Sequence, residues 1–256
     1  MVIVDTHVHA GLDQYVPLEV LLRQMDKSRI DKTVLVQYSA GHPPPGNIDN
    51  TYICQSAREH PQRLATIGIV DWTKEYALDV LGYWVEEQGM QGIRMTGTAQ
   101  SPGKDKYAIW KKAAELNIIV SVTGKIDRIA KIAEKFPDLN LQIEHCGKPD
   151  INKDLVLGLS KYPNVSIKFS VGGLRELSNQ PFPYRDAHPF FKRIYEGFGP
   201  EKVMWGSDYP ACLEYASYDK CLSFIRKEVE YLTKEDKDLI LGKTALKMYR
   251  FQQLEK

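Results

Sequence analysis

Four cysteines in 256 residues are too few and too scattered for a covalent framework. Cys54, Cys146, Cys212 and Cys221 show no Cys-x-x-Cys spacing, which excludes a disulfide-stapled scaffold and leaves reduced thiols as the expectation. Net charge is just as scarce. Lys+Arg 34 against Asp+Glu 33 gives +1 with neutral histidines, so no overall field attracts nucleic acid or an anionic membrane surface. No run of about 18 apolar residues is present. The chain opens directly on a strand-like segment, not on a basic stretch followed by an apolar one and a small-residue cleavage site. The expectation is a cytoplasmic protein whose partner is a small molecule, with a homo-oligomer left open and no nucleic acid or membrane partner. No shift of composition marks a boundary, so residues 1–256 read as one domain.

What the chain does have is alternation. Short β-branched runs at 2–5, 33–37, 64–70, 90–95, 118–122, 139–144, 165–169 and 202–205 are separated by segments whose apolar residues recur every three or four positions. Those helical segments fall at 17–27, 48–60, 73–87, 106–116, 126–135, 153–161 and 187–197, with 218–232 and 234–249 after the last strand. Eight βα units in one α/β domain of this length predict a single (β/α)8 TIM barrel, regular or distorted, with extra C-terminal helices and its active site at the carboxyl ends of the strands.

That rule joins two distant signals. In Asp5-Thr6-His7-Val8-His9 the two imidazoles stand at i and i+2 of a strand and so face one way. The last strand runs into Gly206-Ser207-Asp208-Tyr209-Pro210, where Asp208 is either a site carboxylate or the N-cap of a following turn. First and last strands are neighbours in a closed barrel, so His7, His9 and Asp208 are expected together. The same rule brings Arg94 from the fourth strand, His145 from the sixth and Lys168 from the seventh to the active face. Arg94 and Lys168 are candidates for substrate contact, with a buried ion pair as the alternative for each. The Pro- and Gly-rich loop 38–47 contains His42, which either touches substrate or is simply solvated. Residues 171–185 form a second candidate covering loop. Cys146, although next to His145, is given no role.

The chain resembles the amidohydrolase superfamily, in its amidohydrolase-2 branch. Asp5-Thr6-His7-Val8-His9 is similar to the family's opening His-x-His strand, Glu144-His145-Cys146-Gly147-Lys148-Pro149 to its sixth-strand segment, and Trp205-Gly206-Ser207-Asp208-Tyr209-Pro210 to its closing aspartate segment. In that family two first-strand histidines, a fifth-strand histidine and the eighth-strand aspartate bind a divalent metal such as zinc that activates water. Here the fifth strand reads Ile119-Val120-Ser121-Val122-Thr123 and carries no histidine. The resemblance therefore implies His7, His9 and Asp208 as ligands if an ion is bound, an occupancy that is partial or absent, and no organic cofactor. Three protein ligands are a count that a catalytic zinc with an open position accepts.

Within the branch the pattern looks most like the lactonase group, which includes sugar lactonases and the pyrone dicarboxylate lactonase, some of them understood to work without metal. The implied chemistry is hydrolysis of a lactone or related cyclic carboxylic ester. Asp208 takes a proton from water, His7, His9 and His145 polarise the carbonyl, and Arg94 grips a carboxylate or hydroxyl. The competing expectations are a metal-dependent decarboxylase of an aromatic or unsaturated acid and a non-catalytic barrel that binds a small ligand.

Overall fold

The computed structural model describes residues 1–13, 15–38, 41, 44, 48–147 and 153–252. Eight parallel strands, β1 (Val4–Val8), β2 (Lys32–Val36), β3 (Leu64–Ile67), β4 (Gly92–Met95), β5 (Ile119–Val122), β6 (Leu141–Ile143), β7 (Val165–Phe169) and β8 (Val203–Trp205), follow one another around a barrel. Their ladders form a three-stranded sheet β1-β2-β3 and a five-stranded sheet β4 to β8. Two seams complete the circle, with single bridges at Gly68↔Ile93 and Val8↔Tyr209. The expected (β/α)8 order is present, distorted where the ladders are interrupted at these seams.

Every strand residue of β1, β3, β4, β5, β6, β7 and β8 is buried. Such a pattern requires cover on both faces, with helices outside and packed side chains inside. The helix Leu18–Ser28 buries Leu21 and Met25 on one stripe, and His188–Phe198 buries Phe190, Phe191, Ile194 and Phe198 behind a proline in its first turn. A separate apolar cluster of Val4, Val34, Val36, Ile67, Ile119 and Met204 fills the barrel interior. Tyr249, from the C-terminal segment, joins that cluster, and its hydroxyl donates to Gln142 at 2.6 Å.

Two features depart from the sequence expectation. The first strand extends to Val8, beyond the predicted residues 2–5, because Asp5 and Thr6 bond to Ser207 and Trp205 and tie the chain to the last strand. The loop after β7 contains a short helix, Val171–Arg175, where only loop was expected; Ser170 caps it by accepting from the Gly173 N–H. Among the described residues no helix is long and apolar enough to cross a membrane.

Candidate active site at the seam between the first and last strands

The register of β1 against β2 slips between Asp5 and Val8. One oxygen of Asp5 accepts the His7 backbone N–H at 3.1 Å, a local bond that a regular ladder would not leave room for. The slip exchanges faces. Val4 packs with the interior cluster while Val8 packs with the outer one, so His7 and His9 turn inward. The same Asp5 oxygen accepts the Ser207 N–H at 2.9 Å. Thr6 Oγ1 donates to the Trp205 carbonyl at 2.8 Å. Asp208 N–H donates to the His7 carbonyl at 2.9 Å and His9 N–H to the Tyr209 carbonyl at 2.8 Å. These bonds bring His7 Nε2 to 3.7 Å and His9 Nε2 to 3.3 Å from Asp208 Oδ1. Burial lifts the Asp5 carboxyl to about 6, against the hydrogen bonds it accepts.

Gly206 lets the two strands close. A methyl group there would lie 2.8 Å from His7 Cβ and 3.2 Å from His7 N. Gly206→Ala is therefore expected to destabilise the fold by about 1–3 kcal/mol, the range for overpacking, and to lower activity by displacing His7 from Asp208. Thermal melts and kcat measured together check this. Unchanged values of both would show that the seam has slack.

Under His7 lies a buried charge network. Arg94 donates to both oxygens of Glu144, through Nε at 3.1 Å to each and through Nη2 at 2.8 Å. Ser121 Oγ donates to Glu144 Oε1 at 2.7 Å and accepts from Lys168 Nζ at 3.0 Å. Burial would raise the Glu144 carboxyl, but Arg94, His7, Lys168 and His145 outweigh it and hold the group well below the usual carboxylate range. Burial likewise opposes the Arg94 charge, and Glu144 overcomes it. For Lys168 burial prevails over Glu144 and lowers the amine to about 8.

A lysine whose folded pKa lies below its unfolded one sheds its proton early, so the native state gains stability between about pH 8 and the ordinary lysine value. Relative to Lys168→Met, the wild type should gain on the order of 2 kcal/mol on going from about pH 7.5 to 9.5. Urea titrations at the two pH values measure it, and a constant gap would mean that Lys168 is not desolvated.

Asp208 is placed differently, with 23% of its side chain exposed. Burial raises its carboxyl, but the electrostatic influence of His145, His9 and Arg94 lowers it. Asp208 and His145 both have left-handed backbones, with φ 65 and 49. This is a conformation that costs a non-glycine residue roughly 1–2 kcal/mol and that clusters at functional sites. His145 Nδ1 meets Ser170 Oγ at 3.0 Å, and its ring lies 4.5 Å from that of His7. Beside the mouth Tyr15 stacks on His9 at 4.9 Å, and Tyr38 meets Tyr15 edge-on at 5.7 Å. Both tyrosines line a cavity of about 250 Å³.

The protonation pattern tests whether the donors fit a metal. His9 Nδ1 lies 2.6 Å from the Val36 carbonyl, which can only accept, so Nδ1 carries the proton and Nε2 presents a lone pair to Asp208. His7 is fully buried, with both ring nitrogens lacking hydrogen-bond partners. Burial holds its imidazole well below the usual histidine range, hence neutral. His7, His9 and Asp208 offer ligand atoms all within 4.8 Å of one another. A lone pair, a carboxylate oxygen and an unsatisfied buried nitrogen facing one point suit a divalent cation. The site can hold one.

His7, His9, Arg94, His145 and Asp208 are thus brought together. Arg94 takes the ion-pair alternative, 5% exposed against Glu144. Lys168, 1% exposed, reaches the site only through Ser121 and Glu144, because its ammonium is drawn to the buried carboxylate. His42 lies outside the described residues. Glu144 is the residue sequence reasoning passed over, although a carboxylate directly before a strand-end histidine was a usable signal. Ser121, Tyr15 and Tyr38 carried none.

Known proteins share the fold and the family of this chain. A 2-pyrone-4,6-dicarboxylate hydrolase from Comamonas testosteroni is 32% identical over 146 residues, 49% of this chain. The matched stretch spans about half, 48%, of that relative. An L-fucono-1,5-lactonase from Burkholderia ambifaria is 23% identical across 96% of this chain and 95% of its own. An amidohydrolase from Burkholderia multivorans, crystallised with bound zinc, superimposes with a TM-score of 0.77 at 19% identity, covering 98% of this chain and 100% of that one. The 5-carboxyvanillate decarboxylase from Sphingomonas paucimobilis shares the fold with a TM-score of 0.69 at 13% identity, covering 98% and 99%. The family described as amidohydrolase matches residues 4–251, and the chain belongs to it.

Proposed function

We propose that the protein hydrolyses a small lactone or related cyclic carboxylic ester, with Asp208 as the general base. The observation that carries this is the division of labour between the two carboxylates. Glu144 has no exposed side-chain surface and both its oxygens are taken by Arg94, whereas Asp208 keeps 23% of its side chain open. Asp208 is also held ionised at neutral pH, ready to accept a proton from water at the barrel mouth. His7, His9 and Asp208 would hold a divalent cation, which when bound would supply Lewis-acid polarisation of the ester carbonyl. His9 has its one proton committed to Val36, so it orients and does not donate to a developing oxyanion. His145, its Nδ1 against Ser170 Oγ and its ring beside that of His7, is the imidazole proposed to act beside the carbonyl. Tyr15, stacked on His9, and Tyr38, edge-on to Tyr15, supply an aromatic corner for a ring.

The names of the relatives favour lactones, and the decarboxylase that shares the fold keeps a second reaction in view. The test is a panel of sugar lactones and pyrone carboxylates scored by acid release, run beside a carbon dioxide assay on unsaturated and aromatic acids, with metal analysis of the same protein. Acid release is the expected result. Carbon dioxide without lactone turnover would assign a decarboxylase, and tight binding without either product a binding barrel. On metal, we propose weak binding of one ion, with occupancy that rises when zinc is added. An ion retained through exhaustive chelation by four or more side chains would contradict that.

A further inference from the structure

Glu144 has no part in the hydrolysis just described, yet three polar side chains converge on it. Arg94 and Ser121 take its oxygens, and Lys168 stands behind Ser121. Oε1 also faces His7 Nδ1 at 3.9 Å, while the other nitrogen of the same ring, Nε2, faces Asp208 at 3.7 Å. A neutral imidazole has one proton to place between the two carboxylates. Glu144 is sealed from solvent, where a facing N–H interacts most strongly, and Asp208 is partly in water.

We infer that Glu144 is a positioning residue that sets the tautomer of His7: its carboxylate draws the ring proton to Nδ1 and leaves the Nε2 lone pair aimed at the point shared with His9 Nε2 and Asp208 Oδ1. The inference rests on the reading of those three atoms as donors to one ion. His9 shows such a device with a backbone carbonyl, its Nδ1–H held by Val36 at 2.6 Å, whereas His7 Nδ1 and Glu144 Oε1 stand 3.9 Å apart and act on each other through the buried charge, not through a hydrogen bond. A ligating imidazole whose far nitrogen donates to a carboxylate or carbonyl is fixed in orientation and made more basic. On this account Arg94 and Lys168 keep Glu144 ionised, and Glu144 prepares His7.

Two measurements test it. Long-range proton–nitrogen correlation spectra of metal-free, histidine-labelled wild type, with His7 assigned by the loss of its signals in His7→Asn, should show the proton on Nδ1. In chelator competition Glu144→Gln should bind zinc about 10–100-fold more weakly than wild type, the usual loss when such a partner is removed, and Glu144→Asp should recover part of it. A proton on Nε2 in the wild type, or wild-type zinc affinity in a folded Glu144→Gln, overturns the proposal. If Glu144→Gln does not fold, the wild-type spectrum still decides. If the wild type binds no zinc at all, the donor reading fails while the spectrum separately reports whether Glu144 sets the tautomer.

Discussion

Replacing Asp208 with Asn is expected to lower kcat by about 10²–10⁴, the contribution of a positioned general base, or about 3–5.5 kcal/mol of barrier. The substitution is nearly isosteric. Asp208 N–H still donates to the His7 carbonyl and the Cys212 N–H still donates to the Asp208 carbonyl, so the backbone of the seam is kept. The variant should melt close to wild type. It loses the anionic oxygen that lies 3.3 Å from His9 Nε2, and with it both the proton acceptor and one donor to a cation. Steady-state kinetics on a turned-over lactone, paired with a melting curve, check this. An Asp208→Asn enzyme at full rate would remove Asp208 from the role of base and transfer attention to His145.

The second large effect is on stability. Arg94→Met leaves Glu144, with no exposed side-chain surface, facing an apolar group in place of a two-pronged guanidinium. Breaking one partner out of a buried ion pair destabilises by about 3–5 kcal/mol, which for a chain of this size lowers Tm by on the order of 10 °C. Arg94→Lys should fall between, since an ammonium cannot reproduce the bidentate contact. If Arg94 instead gripped the substrate's anion, the variant would melt normally and raise KM with kcat little changed. The structure favours the first outcome because the three hydrogen bonds from Arg94 to Glu144 lie at 2.8–3.1 Å.

Much of this was legible before any coordinates. The eight alternating units sufficed for the barrel, because parallel strands buried on both faces leave long apolar runs with helical segments between them. The barrel alone then placed His7, His9, Arg94, His145 and Asp208 at one end, since strand ends share a face whatever their separation in the chain. Strand limits were less legible. Asp5 and Thr6 read as the polar end of an apolar run, and only their partners Trp205, at the end of β8, and Ser207, just beyond it, explain why the strand continues.

The sequence by itself determined which residues stand at the mouth of the barrel, because that depends on local periodicity and chain order. Tertiary structure decided what each of them does there. The Asp5-centred slip that turns His7 and His9 inward, the pairing of Arg94 with Glu144 and the carbonyl that fixes the His9 tautomer all join residues 27 or more positions apart or depend on such a junction. Proton placement and charge pairing respond to distances of a few ångströms between strands. One-dimensional spacing does not record those distances.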